Sequence, residues 1–168
     1  MLLLAQRCVR LIRAQRAFTA LFVKSAAAIF ATTGVAKIIA AFSHAPLVAF
    51  MPDPVFGVEE RYVFMGVGLL EFVVCAVCVG RSSSLLSVKL IAWMATNFLM
   101  YHVTLFLMGW QQPCACLGYL TSAFHIAPRV GDFLVRMLVA YLLIGSYLVL
   151  LISWRAPYAR SVPRSEAD

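Results

Sequence analysis

RYVFMGVGLLEFVVCAVCVG, residues 61–80, is twenty residues long, and past Arg61 it carries one charge, Glu71, near its middle. Twenty residues of helix rise about 30 Å, the thickness of a bilayer's hydrocarbon layer. The stretch therefore reads as a membrane span. Inside hydrocarbon the backbone must satisfy its own hydrogen bonds, so the span is a helix.

Three more stretches have the same character, near 18–42, 85–109 and 133–154. Over the 168 residues, 63% are hydrophobic and 12% charged, with mean hydropathy +0.91. A soluble domain carries about 25% charged residues. The expected fold is all-α, an integral membrane four-helix bundle forming one domain over 18–154. A basic N-terminal segment (1–17) and a basic tail (155–168) flank it. GRSSS (80–84) is a tight turn, and 43–60 and 110–132 are the longer loops.

The net charge of +7 is not a nucleic-acid signal, because the basic residues sit beside the apolar runs. Arg7, Arg10, Arg13 and Arg16 precede the first span, Arg81 lies in the tight turn, and Arg155, Arg160 and Arg164 follow the last. Loop 43–60 holds Asp53, Glu59 and Glu60 and no base, and 110–132 holds only Arg129. The positive-inside rule then predicts both termini in the cytoplasm and both long loops outside, as in a multi-pass protein of a bacterial inner membrane. MLLLAQRCVRLIRAQR is basic and free of acids, like a transit peptide, but reads more simply as an interfacial segment leading into the first span. Cys8 falls there and is assigned no role.

Charged groups within a span are costly unless paired, hydrated or close enough to an end to snorkel. Lys24 and Lys89 lie near the cytoplasmic ends and are expected to snorkel. Arg136, one turn into the fourth span, reads as an interfacial anchor or a partner for an outer acid. Lys37 and Glu71 lie deeper, about 8 Å and 15 Å below the outer surface. Their helices are consecutive and antiparallel, so the two can pair, either to lock the helices or to handle protons. His102 lies about 10 Å deep in the third span, as a helix-to-helix hydrogen-bonding residue or a contributor to the site. SAAAIFATTG and GVG supply small residues for close helix packing.

The chain has five cysteines. Glu71, Cys75 and Cys78 are spaced to share one helix face. The two thiols lie about 20 Å below the outer loop, where an apolar setting disfavours the thiolate, so they read as packing residues. GWQQPCACLGYL (109–120) is different. Cys114 and Cys116 follow Pro113 in a loop just beyond the third span, on the side where thiols oxidise. Zinc needs four ligands and only His125 is an obvious third, so no metal is expected. A bond between the two thiols would close a small strained ring, which favours exchange over permanent stapling.

GVAK (34–37), the Pro-containing outer loop, Glu71 in the second span and CACLG (114–118) after the third resemble the MauE family of methylamine-utilisation proteins, grouped with DoxX-like membrane proteins. The resemblance covers most of residues 20–154. It implies a four-helix membrane fold and a redox-associated role. In that family the role is linked to maturation of the disulfide-rich small subunit of methylamine dehydrogenase, beside a thioredoxin-like partner. Cys114 and Cys116 match the motif cysteines, and Lys37 and Glu71 match the intramembrane charges. Ala115 stands where members often have Gly, which narrows the conformations open to the pair. Leu117 replaces the more usual Phe.

The expected activity is thiol–disulfide exchange through Cys114 and Cys116, with Lys37, Glu71 and His102 as supporting groups. The expected partners are a thioredoxin-like extracytoplasmic protein or an exported disulfide-rich protein, with membrane lipid around the spans and no nucleic acid. No cofactor is expected. Exchange with a quinone would call for a second reactive pair near the outer face, which Cys75 and Cys78 do not supply. The competing expectation is a non-catalytic scaffold or chaperone subunit of an exported or quinone-linked redox complex.

Overall fold

The structure, a computed structural model, describes residues 2–42, 52–82, 84–110 and 128–158, with side chains over 14–42, 52–82, 84–110 and 129–154. Four helices account for nearly all of it: α1 (Leu2–Phe42), α2 (Glu60–Gly80), α3 (Leu85–Leu107) and α4 (Pro128–Tyr158). Each contains a stretch long and apolar enough to cross a membrane: Ala14–Phe42, Glu60–Gly80, Leu85–Leu107 and Arg129–Trp154. No more than 39% of any of these stretches is buried within the protein. The remainder, including Leu69, Val73, Phe106, Ile144 and Leu151, faces outward as a surface suited to acyl chains. The protein is thus an all-α, four-helix integral membrane bundle.

Helix α1 is 41 residues long and runs unbroken through the expected boundary at residue 17. No proline or glycine interrupts residues 2–33, so nothing in the backbone stops it. Arg81 and Ser84 form the turn from α2 to α3. Ser84 caps α3 by accepting from the Ser87 amide at 3.3 Å, and the Ser87 hydroxyl donates to the Arg81 carbonyl at 2.8 Å. Helix α3 closes two residues before the expected position. Gly109 adopts φ +71° there, and its amide and that of Trp110 turn back to the Phe106 and Leu105 carbonyls at 3.1 and 3.0 Å. Pro128 opens α4 where its missing amide costs no helical hydrogen bond.

The helices pack as two close pairs, α1 against α2 and α3 against α4, with lighter contact between pairs. Gly34 and Gly68 bring α1 and α2 together: a Cβ on either would sit 3.3 Å from the other's carbonyl oxygen. Between α1 and α4, Ser25 and Tyr141 share a hydrogen bond of 2.7 Å. Gly145 accommodates the Phe22 ring, which a methyl group at 145 would overlap. Thr96 and Tyr147 join α3 to α4 at 3.2 Å.

The apolar core is not centred. Phe22, Phe30, Val74, Cys78, Ile91, Met94 and Leu142 belong to one cluster lying toward the end where α1 and α3 begin. The other end carries the turn 52–59, the C-terminal halves of α1 and α3 and the N-terminal halves of α2 and α4. Polar groups and cavities gather there.

Candidate functional site

The buried stripe of α2 is Phe64, Gly68, Glu71, Val74 and Cys78, spaced by three and four as a helix core face requires. A carboxylate therefore occupies a core position. Its partner is Lys37, whose Nζ lies 2.7 Å from Glu71 Oε1, with the two side chains 6% and 1% exposed. Helix direction explains how two groups at different depths meet. Cα–Cβ bonds tilt toward a helix N-terminus. In antiparallel α1 and α2 the Lys37 and Glu71 side chains consequently lean toward each other, over the Gly34–Gly68 contact. A Cβ at Gly34 would lie 3.4 Å from Glu71 Oε2, so this glycine makes room for the carboxylate as well as for the neighbouring helix.

The Lys37 ammonium also lies 5.4 Å from the centroid of the Phe98 ring. Glu71 Oε2 has no hydrogen-bond partner among the described residues. The nearby Thr33 hydroxyl donates to the Ile29 carbonyl at 3.0 Å instead. Glu71 lines a cavity of about 40 Å³ together with Thr33, Lys37, Phe98, His102 and Val135, among others. Most of the wall is apolar, with Ile29, Phe30, Leu138, Val139 and Leu142 completing it, and Thr33, Lys37, Glu71 and His102 are the polar residues at which a water could be held. His102 is half-buried on its rim, and Asp132 and Arg136 of α4 are its charged neighbours. The structure thus brings Lys37, Glu71 and His102 around one cavity. Arg136, Lys24 and Lys89 are exposed.

The turn 52–59 is pinned above this cluster by a residue that local sequence pattern does not single out. Asp53, 2% exposed, accepts from the Val55 and Phe56 amides through Oδ1 at 2.8 and 2.9 Å. Its other oxygen, Oδ2, accepts from the Tyr101 hydroxyl at 2.6 Å. The Phe56 and Tyr101 rings stack at 6.1 Å and 10°. One short acid thereby shapes the turn and fastens it to α3.

Cys75 and Cys78 are free thiols in the core half. Cys78 is fully buried, and Cys75 Sγ donates to the Ala27 carbonyl of α1 at 3.4 Å. Both fill the α1–α2 seam. Cys114, Cys116 and His125 lie outside the described residues. No group of three or more metal-ligating side chains occurs among the described ones. Phe98 and Tyr101 are site-forming residues that the sequence reading missed, and Gly34, read there as a small packing residue, also makes room for the Glu71 carboxylate. The signal present in the sequence is the i, i+4 spacing of Phe98 to His102 and of Asn97 to Tyr101, which puts each pair on one face of α3.

The fold and site define a class: a multi-pass helical membrane protein with a buried ion pair beside a small, mostly apolar cavity toward one end. No family model, curated protein or solved structure matches the chain.

Proposed function

We propose that this protein supports thiol–disulfide exchange at an extracytoplasmic membrane surface, through Cys114 and Cys116. The observation that carries the reading is topological. Residues 111–127 connect the C-terminus of α3 to the N-terminus of α4, at the end that also holds Lys37, Glu71, His102 and the pinned turn. The lysine and arginine pattern supports placing that end outside, with both termini in the cytoplasm of a bacterial cell. The Cys-x-Cys-Leu-Gly sequence and the Lys37–Glu71 pair support the resemblance to MauE proteins, and with it a role in maturing exported proteins.

In the forward direction one thiolate attacks a disulfide of a thioredoxin-like partner. A mixed disulfide forms and one partner sulfur leaves as thiolate. The second cysteine then attacks the mixed disulfide, so the partner gains two electrons and the Cys114–Cys116 pair becomes the disulfide. The two protons given up by the cysteines are balanced by those taken up by the partner's two sulfurs as they become thiols.

Single Cys114→Ser and Cys116→Ser variants test the reading. One of them should accumulate a mixed disulfide with a partner under conditions that oxidise the wild type, while the double variant forms none. Absence of any trapped species in both single variants would sink it. The second reading, a non-catalytic scaffold for an exported or quinone-linked complex, is favoured by the packing of Cys75 and Cys78, one half-buried and bonded to the Ala27 carbonyl and the other fully buried, as free thiols. Full biological function in the double variant would select it.

A further inference from the structure

We propose that the cleft between α2 and α3 is a binding site for a lipid-soluble aromatic carbonyl compound of the quinone type. The cleft has a volume of about 400 Å³ and lies where these two helices are lightly packed. Small-molecule sites are typically of this size, mostly apolar, with a few polar groups that set orientation. Val63, Val67 and Leu70 of α2 form one wall, and Trp93, Asn97 and Tyr101 of α3 the other. Phe56, stacked on Tyr101, closes the end at the turn.

Two polar groups distinguish this cleft from an ordinary lipid groove. Asn97 sits near the middle of α3, a membrane-spanning helix, and is exposed. Its amide nitrogen donates to the Trp93 carbonyl at 2.8 Å, which uses one of two amide hydrogens and leaves its carbonyl oxygen. An amide facing acyl chains with capacity unspent is unfavourable, and a polar ligand atom relieves it. Lys37 lines the cleft as well as the small cavity, and its ammonium lies 5.4 Å from the centroid of Phe98, which lines both. An ammonium has three hydrogens, and one goes to Glu71. The remaining donors suit an electron-rich oxygen.

The occupant must therefore enter from the membrane, present a carbonyl oxygen toward Lys37 and the Asn97 amide, and lay a flat ring between the aliphatic α2 wall and the Trp93 and Tyr101 side chains of α3. A quinone ring meets all three requirements. A phospholipid acyl chain meets only the first, and a water-soluble carboxylate fails it. Binding in this cleft is independent of the thiol chemistry proposed for Cys114 and Cys116.

The test is photolabelling of the purified full chain in phosphatidylcholine nanodiscs with an azido-quinone, followed by peptide mapping. Labelling should concentrate on 63–70 and 93–104 and be displaced by decylubiquinone, but not by the same amount of added phosphatidylglycerol. Asn97→Leu should raise the decylubiquinone concentration needed for displacement about tenfold, the loss of roughly one hydrogen bond in a desolvated site. Leu is similar in size and more lipophilic, so folding is not at risk, and an unchanged Tm would verify this. Labels scattered over the outward face, equal displacement by phospholipid, or an unchanged displacement curve in Asn97→Leu would each overturn the proposal.

Discussion

Lys37 and Glu71 meet at 2.7 Å in the protein interior, one from each side of a glycine–glycine contact. Breaking such a pair leaves an uncompensated buried charge, whereas replacing both members with apolar groups removes the desolvation cost together with the attraction. Lys37→Met alone is expected to destabilise the bundle by about 3–5 kcal/mol. Lys37→Met with Glu71→Leu should recover most of that. Thermal unfolding in detergent reads the difference, and a double variant no more stable than the worse single would refute the account.

Gly145 and Phe22 form a tight knob-and-notch between α4 and α1. Gly145→Ala is expected to cost about 1–3 kcal/mol by overpacking. Adding Phe22→Leu, which retracts the ring, should restore part of the loss. Additive losses in the double variant would show that the two positions do not share the space.

The Asp53 carboxylate holds three donors, two amides of its own turn and the Tyr101 hydroxyl. Tyr101→Phe removes one and is expected to cost about 1.5–3 kcal/mol, as for a hydrogen bond to a charged group. Asp53→Ala removes all three and should release the turn. Amide hydrogen exchange over 52–59 should accelerate strongly in Asp53→Ala and less in Tyr101→Phe. Equal exchange in the two variants would place the turn's order elsewhere.

Cys78 is fully buried and Cys75 is bonded to a carbonyl in the α1–α2 seam. Both should resist a maleimide reagent in the folded protein and react once it is unfolded in dodecyl sulfate. Mass spectrometry of native and denatured samples counts them. Rapid labelling of Cys75 or Cys78 in the native bundle would contradict this packing.

Four apolar runs were enough to predict the helices, because the demands of a bilayer are written in length and composition. Helix ends were harder to read. Residues 2–17 read as a separate segment because their basic composition differs, yet helix continuity depends on backbone propensity and not on polarity. Pairing of Lys37 with Glu71 could be anticipated from depth and chain direction. The part played by Gly34 could not, since a small residue at a seam looks the same whether it admits a backbone or a carboxylate. Asp53 was visible only as one acid in a loop. Its importance arises from Tyr101, 48 positions away, and no local pattern encodes a contact of that separation.

The unbroken α1 helix has a mechanical consequence. It makes a close contact with α2 at Gly34, while Leu2 lies 32 residues, or about 48 Å, to one side and Lys37 only about 4.5 Å to the other. A rigid rod resting on that fulcrum has arms in a ratio of about ten to one. A swing of several ångströms at its far tip corresponds to a few tenths of an ångström at the ammonium, a displacement small enough for a hydrogen bond to follow.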